Sequence, residues 1–257
     1  MQGQAVLPAL IALESSSSQY YHSTLVPNQS IASLLDVLER FHGKQQPGWP
    51  TDPYEFLVWW HCGYPQSEGR CSKGWQKLTA EVGITPEKLL AAKPDKLAAA
   101  LKPGGMVPEL RALRLKEIAM RVQQECGGDL RAALTGLLPK VRGLLKKFPN
   151  IADPGADRIL LFANLFPVAA VPSNCPHVLV RITRGPEREN YGVIYRQAQE
   201  ALTAEIPEEF TARQRAYLLL KKHGQELCKL TKPKCQLCPV AAGCSYAKRA
   251  KTAAARA

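Results

Sequence analysis

The feature that most constrains this chain is a group of four cysteines near its end. Cys228, Cys235, Cys238 and Cys244 are spaced C-x6-C-x2-C-x5-C and follow His223-Gly224-Gln225-Glu226-Leu227. Four thiolates on one short, proline-interrupted loop can wrap a cuboidal iron–sulfur cluster, each iron taking one sulfur. A structural zinc is the rival, because zinc also takes four thiolates, tetrahedrally. Zinc ribbons bring two separate C-x2-C knuckles together. This loop has one C-x2-C flanked by lone cysteines at longer spacings, which favours the cluster. Four unligated cysteines in a loop so short and polar are a poor alternative.

The charge points outward to a partner. The 257 residues suffice to bury a full core, and the formal net charge is +12 with no acidic block to balance it. Such an excess suits a polyanion, with nucleic acid the first candidate, although a merely solvated basic surface is the bland alternative. The other four of the eight cysteines, Cys62, Cys71, Cys126 and Cys175, are scattered. They do not form the framework of a secreted disulfide protein and read as small buried or half-buried side chains. Cluster chemistry implies a reducing compartment, so the chain reads as cytoplasmic, or nucleoid-associated if bacterial. The apolar run Ala5 to Leu13 has no basic flank and falls far short of the roughly 20 residues that span a bilayer. No membrane is expected.

Taken in order, the pattern is helical almost throughout. Residues 1–30, with the Ser15–Ser18 run, read as a flexible leader. From Ile31, residues Leu34, Leu35, Val37, Leu38 and Phe41 make one apolar face that Gly43 ends. Asp52-Pro53 and Thr85-Pro86 each supply a cap followed by proline at the first helical position. Further helices are predicted over 73–82, 108–126, 129–135, 137–148, 176–182, 191–205 and 211–227, and the basic tail 247–257 reads as frayed. Almost nothing alternates with period two, so the fold class is all-α, with connections short enough for a compact bundle.

The segment Phe148-Pro149-Asn150-Ile151-Ala152-Asp153-Pro154-Gly155 lies between two helical patterns and reads as a tight hairpin. Asp153-Pro154 makes a good cap pair for the second helix. A hairpin of this kind presents backbone N–H groups and a helix N-terminus to a DNA phosphate. Asn150 is the best non-glycine choice for a left-handed residue, whereas Ala152 tolerates positive φ poorly.

The cysteine spacing after H-G-x-x-x-C resembles the carboxy-terminal [4Fe-4S] loop of the endonuclease III family of DNA glycosylases. The hairpin is similar to that family's helix-hairpin-helix, with Asn150 and Ala152 where relatives carry glycine. Pro154 to Phe162 and Val171 to Asn174 resemble a branch of the family reading P-G-A-E-K-I-L-L-F and L-D-S-N. The resemblance implies a six-helix barrel carrying the hairpin (residues 50–168, hairpin about 137–166). A cluster domain would comprise 31–49 and 169–246, with 247–257 a basic tail. It implies a [4Fe-4S] cluster on Cys228, Cys235, Cys238 and Cys244, and double-stranded DNA as partner to a monomer. DNA contacts fall to Asn150, Ile151, Ala152 and Gly155, with Tyr64 or Gln66 as the wedge that fills the gap left by a flipped base.

At the catalytic positions the chain departs from the family. Counting from Ala152 puts the Schiff-base lysine at Pro154 and the catalytic aspartate at Pro172, and neither proline can act as acid, base or nucleophile. Asp153 and Asp157 are the candidate substitutes, although capping and dipole roles explain both. Ser173 and Asn174 can orient a water but cannot take its proton. Cys175 with His177 looks like a nucleophile pair, yet i and i+2 on a helix face different ways. Lys146 and Lys147 read as phosphate contacts or solvated charge. The expected function is base-excision repair at damaged or mismatched bases, monofunctional at most. The alternative is a catalytically impaired relative that recognises distorted DNA without excision.

Overall fold

The computed structural model describes residues 30–186 and 190–254. They form thirteen α-helices and two 3-10 turns, with no strand among the described residues. The all-α expectation holds. The predicted leader up to residue 29 and the tail residues 255–257 lie outside the described residues.

The helices start where cap chemistry starts them. Ser30 accepts the Ser33 N–H at the head of α1 (Ile31–His42), and Asp52 accepts those of Tyr54 and Glu55 at α2 (Pro53–His61). Each satisfies donors that the first turn leaves without intrahelical partners. The chain continues through α3 (Glu68–Glu81), α4 (Pro86–Ala91), α5 (Pro94–Leu101) and α6 (Pro108–Glu125). Then come α7 (Leu130–Ala133), α8 (Leu138–Leu145) and α9 (Asp153–Phe162), followed by α10 (His177–Thr183), α11 (Tyr191–Glu205), α12 (Phe210–Glu226) and α13 (Ser245–Ala254).

Several predicted boundaries move, two of them for clear local reasons. Helix α3 begins at Glu68, five residues before the expected start, because Ser67 already has the extended conformation of a cap. Part of the tail read as frayed is the helix α13, which packs on α10 and buries Ala247.

Buried apolar side chains fall into two clusters. One gathers Trp49, α2 to α9 and Val168, and the other gathers α1 with α10, α11, α12 and Val240. Helix α2 lies deep in the first, with Leu57, Val58 and Trp59 at most 1% exposed. Helix α12 serves both: Tyr217 and Leu218 enter the first cluster, Ala216, Leu219 and Leu220 the second. No helix among the described residues is long and apolar enough to cross a membrane.

Candidate functional site

The hairpin between α8 and α9 is built as its sequence suggests at one position and not at the other. Asn150 is exposed and adopts φ 55°, the left-handed conformation that a short amide side chain tolerates best. Ala152 instead sits at φ −107° and ψ −174°, ordinary extended backbone, so the expected strain there is absent. Ala152 is the N-cap, and Asp153, predicted as the cap, is already the first residue of α9. Ile151 turns its side chain into the first apolar cluster, while Gly155 closes over it, the position of a would-be Cβ meeting Ile151 Cγ2 at 3.5 Å.

His61 holds the hairpin from below. Its two ring nitrogens lie 2.8 Å from the Leu57 carbonyl and 2.9 Å from the Pro149 carbonyl. Burial pushes its pKa down to about 4, against the pull of both carbonyls.

Neither proposed substitute carboxylate reaches an open site. Asp153 is exposed and paired with Lys146 at 2.8 Å. Asp157 is 1% exposed, with Arg142 Nε at 2.6 Å and Gln199 Nε2 at 2.8 Å. Burial pushes its carboxyl up, and the Arg142 guanidinium opposes that. Pro154 is the second residue of α9, and Pro172 is buried, its carbonyl accepting the Cys175 N–H at 3.1 Å. Cys175 and His177 are separated in role as well as direction. Burial raises the Cys175 thiol to about 12, while His177 Nε2 lies 2.8 Å from the Cys228 carbonyl. Lys147 pairs with Glu125 at 2.9 Å.

An open cleft of about 550 Å³ lies where α2, α3 and α9 meet α11, α12 and the 173–174 segment. That size suits a small-molecule ligand. Tyr64 stacks on Trp60 at 4.6 Å on one side, and Tyr191 donates to the Ser173 carbonyl at 3.1 Å on the other. Ser173 and Asn174 are exposed at its edge, and Gln66 lines it beside Gly105. The loop carrying Tyr64 and Gln66 is held firmly: Arg111 donates to the carbonyls of Cys62 and Gly105. Gly104 approaches Cys62 so closely that a Cβ would stand 1.7 Å from its carbonyl oxygen, a contact only glycine permits.

Sequence reasoning missed the charges in this cleft. Glu68 Oε1 accepts from Arg158 Nη2 at 2.7 Å, and Oε2 from Lys221 Nζ at 2.7 Å. The Arg158 guanidinium lies 3.8 Å over the ring of Trp49, and its Nε has no hydrogen-bond partner. These residues come from α3, α9 and α12, so no spacing announces them. The single hint is an acidic residue opening a helix after serine, which capping explains equally well.

The four loop cysteines line one small cavity with Arg181 and His223. Arg181 Nη1 donates to the Lys229 carbonyl at 2.8 Å and Nη2 to the Leu230 carbonyl at 2.9 Å, tying the loop to α10. His223 Nε2 is 3.6 Å from Cys238 Sγ, and His223 Nδ1 is 3.1 Å from His42 Nε2. Burial pushes the thiols of Cys228 and Cys238 up to about 11 and about 12, and Cys244 upward too. Buried thiols of this kind ionise when metal cations neutralise them. Among the described residues no three His, Cys, Asp or Glu side chains stand close enough to hold a single ion.

Comparison with known proteins agrees with this architecture. No family model matches the chain. It is 26% identical to endonuclease III of Thermotoga maritima over 218 residues, 83% of this chain and 91% of the relative. A thermostable thymine-DNA glycosylase superposes with TM-score 0.67 at 22% identity, covering 85% of this chain and 96% of its own. Endonuclease III trapped as a covalent intermediate with DNA superposes with TM-score 0.68 at 18% identity, covering 86% and 97%. In sequence the chain is similar to endonuclease III, and in fold it is similar to these two glycosylase structures.

Proposed function

We propose that this protein is a base-excision-repair DNA glycosylase that binds duplex DNA at damaged or mismatched bases. The observation that carries the reading is the cleft beside Tyr64 and Gln66, large enough for a base flipped out of the stack and walled by rings on which it can lie. The exposed left-handed Asn150 and the N-terminus of α9 suit a backbone phosphate on the same duplex. Ala152 and Gly155 offer main chain there, while buried Ile151 anchors the turn. The net charge of +12 supplies the sequence-independent attraction. With proline at 154 the protein is monofunctional at most.

Cys228, Cys235, Cys238 and Cys244 hold a [4Fe-4S] cluster in this reading. Bound there, a cluster would add to the Arg181 hydrogen bonds that tie this loop, with its basic residues Lys229, Lys232 and Lys234, to α10. The protein acts as a monomer. Its barrel domain spans 50–168, and the cluster domain joins 31–49 to 169–246.

The buried Pro172 favours a second reading, a DNA-binding protein that recognises distorted duplex without excision. One assay separates the two. Fluorescence anisotropy should show preference for a duplex carrying a tetrahydrofuran abasic analogue over undamaged duplex. Release of base from a damaged duplex then marks the enzyme, and its absence the binder. Equal affinity for both duplexes would sink both readings.

A further inference from the structure

Glu68 offers the cleft a carboxylate that Pro172, Asp153 and Asp157 do not. It is the one acidic residue among the described residues that line the cleft, and its side chain is 27% exposed. The rival explanation is a structural clip, since Glu68 joins α3 to Arg158 of α9 and Lys221 of α12. A clip has no need of an open cleft, an aromatic wall or exposed polar side chains on the facing segment. Glu68 has all three. Trp60 and Tyr64 stack beside it, and Ser173 and Asn174, exposed on the facing segment, are suited to orient a water. The two cations are themselves constrained, because Arg158 is sandwiched on Trp49 and Lys221 Nζ lies 5.1 Å from the same ring. A carboxylate held at one oxygen by the buried Arg158 and at the other by the partly buried Lys221, at the first position of a helix, keeps one orientation. Held in one orientation, the Glu68 carboxylate can face a developing positive sugar once a bound duplex covers the cleft.

We propose that Glu68 is the catalytic carboxylate of this protein. The inference rests on the glycosylase reading above. With the target base in the cleft, the C1′–N bond breaks and its electron pair leaves on the base nitrogen. The carboxylate stabilises the positive sugar that remains. A water held by Ser173 and Asn174 adds its oxygen to C1′ and gives one proton to Glu68. That proton passes to the departing base, so the products are free base and an abasic sugar hemiacetal, with no lysine adduct.

The test uses the full chain purified anaerobically and duplexes carrying uracil, thymine opposite guanine, or hypoxanthine. Wild-type protein should release at least one of these bases. Glu68→Gln should lower that release by about a hundredfold or more, while affinity for the tetrahydrofuran duplex stays within about threefold. Glu68→Asp keeps the charge and the fold and should fall between the two. Formate should restore part of the release in Glu68→Ala, which a merely structural role would not permit. Release by Glu68→Gln within about threefold of wild type would overturn the assignment, as would a borohydride-trapped adduct lost in Lys221→Arg. No release by wild type from any probe, with tetrahydrofuran preference intact, removes Glu68 as a catalyst and leaves the binding reading standing. Loss of that preference in wild type removes the functional reading itself.

Discussion

Arg142 Nε donates to Asp157 Oδ1 at 2.6 Å, and the carboxylate receiving it is 1% exposed. This pair ties α8 to α9 across the hairpin, and Gln199 of α11 adds a bond at 2.8 Å. Asp157→Ala leaves the Arg142, Tyr195 and Gln199 donors without the carboxylate that accepts from them, at a cost of about 1–3 kcal/mol. Asp157→Ala should therefore lower the urea midpoint substantially, and any fall in base release should track the unfolded fraction. A kinetic defect in fully folded Asp157→Ala would restore Asp157 as a catalytic candidate.

The hairpin substitutions should now differ from one another. At Asn150, φ 55° costs an ordinary L-residue roughly 1 kcal/mol, so Asn150→Val should weaken binding of the tetrahydrofuran duplex and Asn150→Gly should not. Ala152 is extended, so Ala152→Gly relieves nothing and should change affinity little. A marked tightening by Ala152→Gly, measured by anisotropy, would mean the residue changes conformation on DNA.

The cysteine loop predicts its own metal content. Anaerobically purified protein should be brown, with about four irons per chain, and each of Cys228→Ser, Cys235→Ser, Cys238→Ser and Cys244→Ser should lower iron content and loosen the loop. Stoichiometric zinc without iron in elemental analysis would refute the cluster.

Acid should destabilise the barrel through His61. Its folded pKa, about 4, lies below the ordinary 6.5 because burial disfavours the charged ring. The unfolded chain therefore binds the extra proton between those values, and stability falls as pH drops from about 6.5 toward 4. The full effect is on the order of 3 kcal/mol. Urea midpoints should show this pH slope reduced in His61→Gln, and an unchanged slope would refute it.

Salt should weaken duplex binding steeply, because a chain of net charge +12 binds phosphates by releasing counterions. Affinity unchanged between low and physiological salt would contradict an electrostatic interface.

Local chemistry determined a good deal by itself. Apolar spacing placed Leu34, Leu35 and Leu38 on the buried face of α1, Asp52-Pro53 opened α2, and Asn150 took the left-handed turn, because each depends on neighbours a few residues away. The cysteine spacing is a local property too, and the four thiols do line one cavity. The roles of Asp153 and Asp157 were not legible. One residue's shift in the helix start moved Asp153 off the cap, and only the packing of α8 and α11 showed Asp157 to be sealed in. The tertiary structure alone decided the cleft. Glu68, Arg158 and Lys221 are far apart in the chain and meet only because α3, α9 and α12 converge. A charged side chain written in a sequence carries no mark of its partner, since Coulomb attraction depends on distance in space and on the exclusion of water, and both are set by the fold.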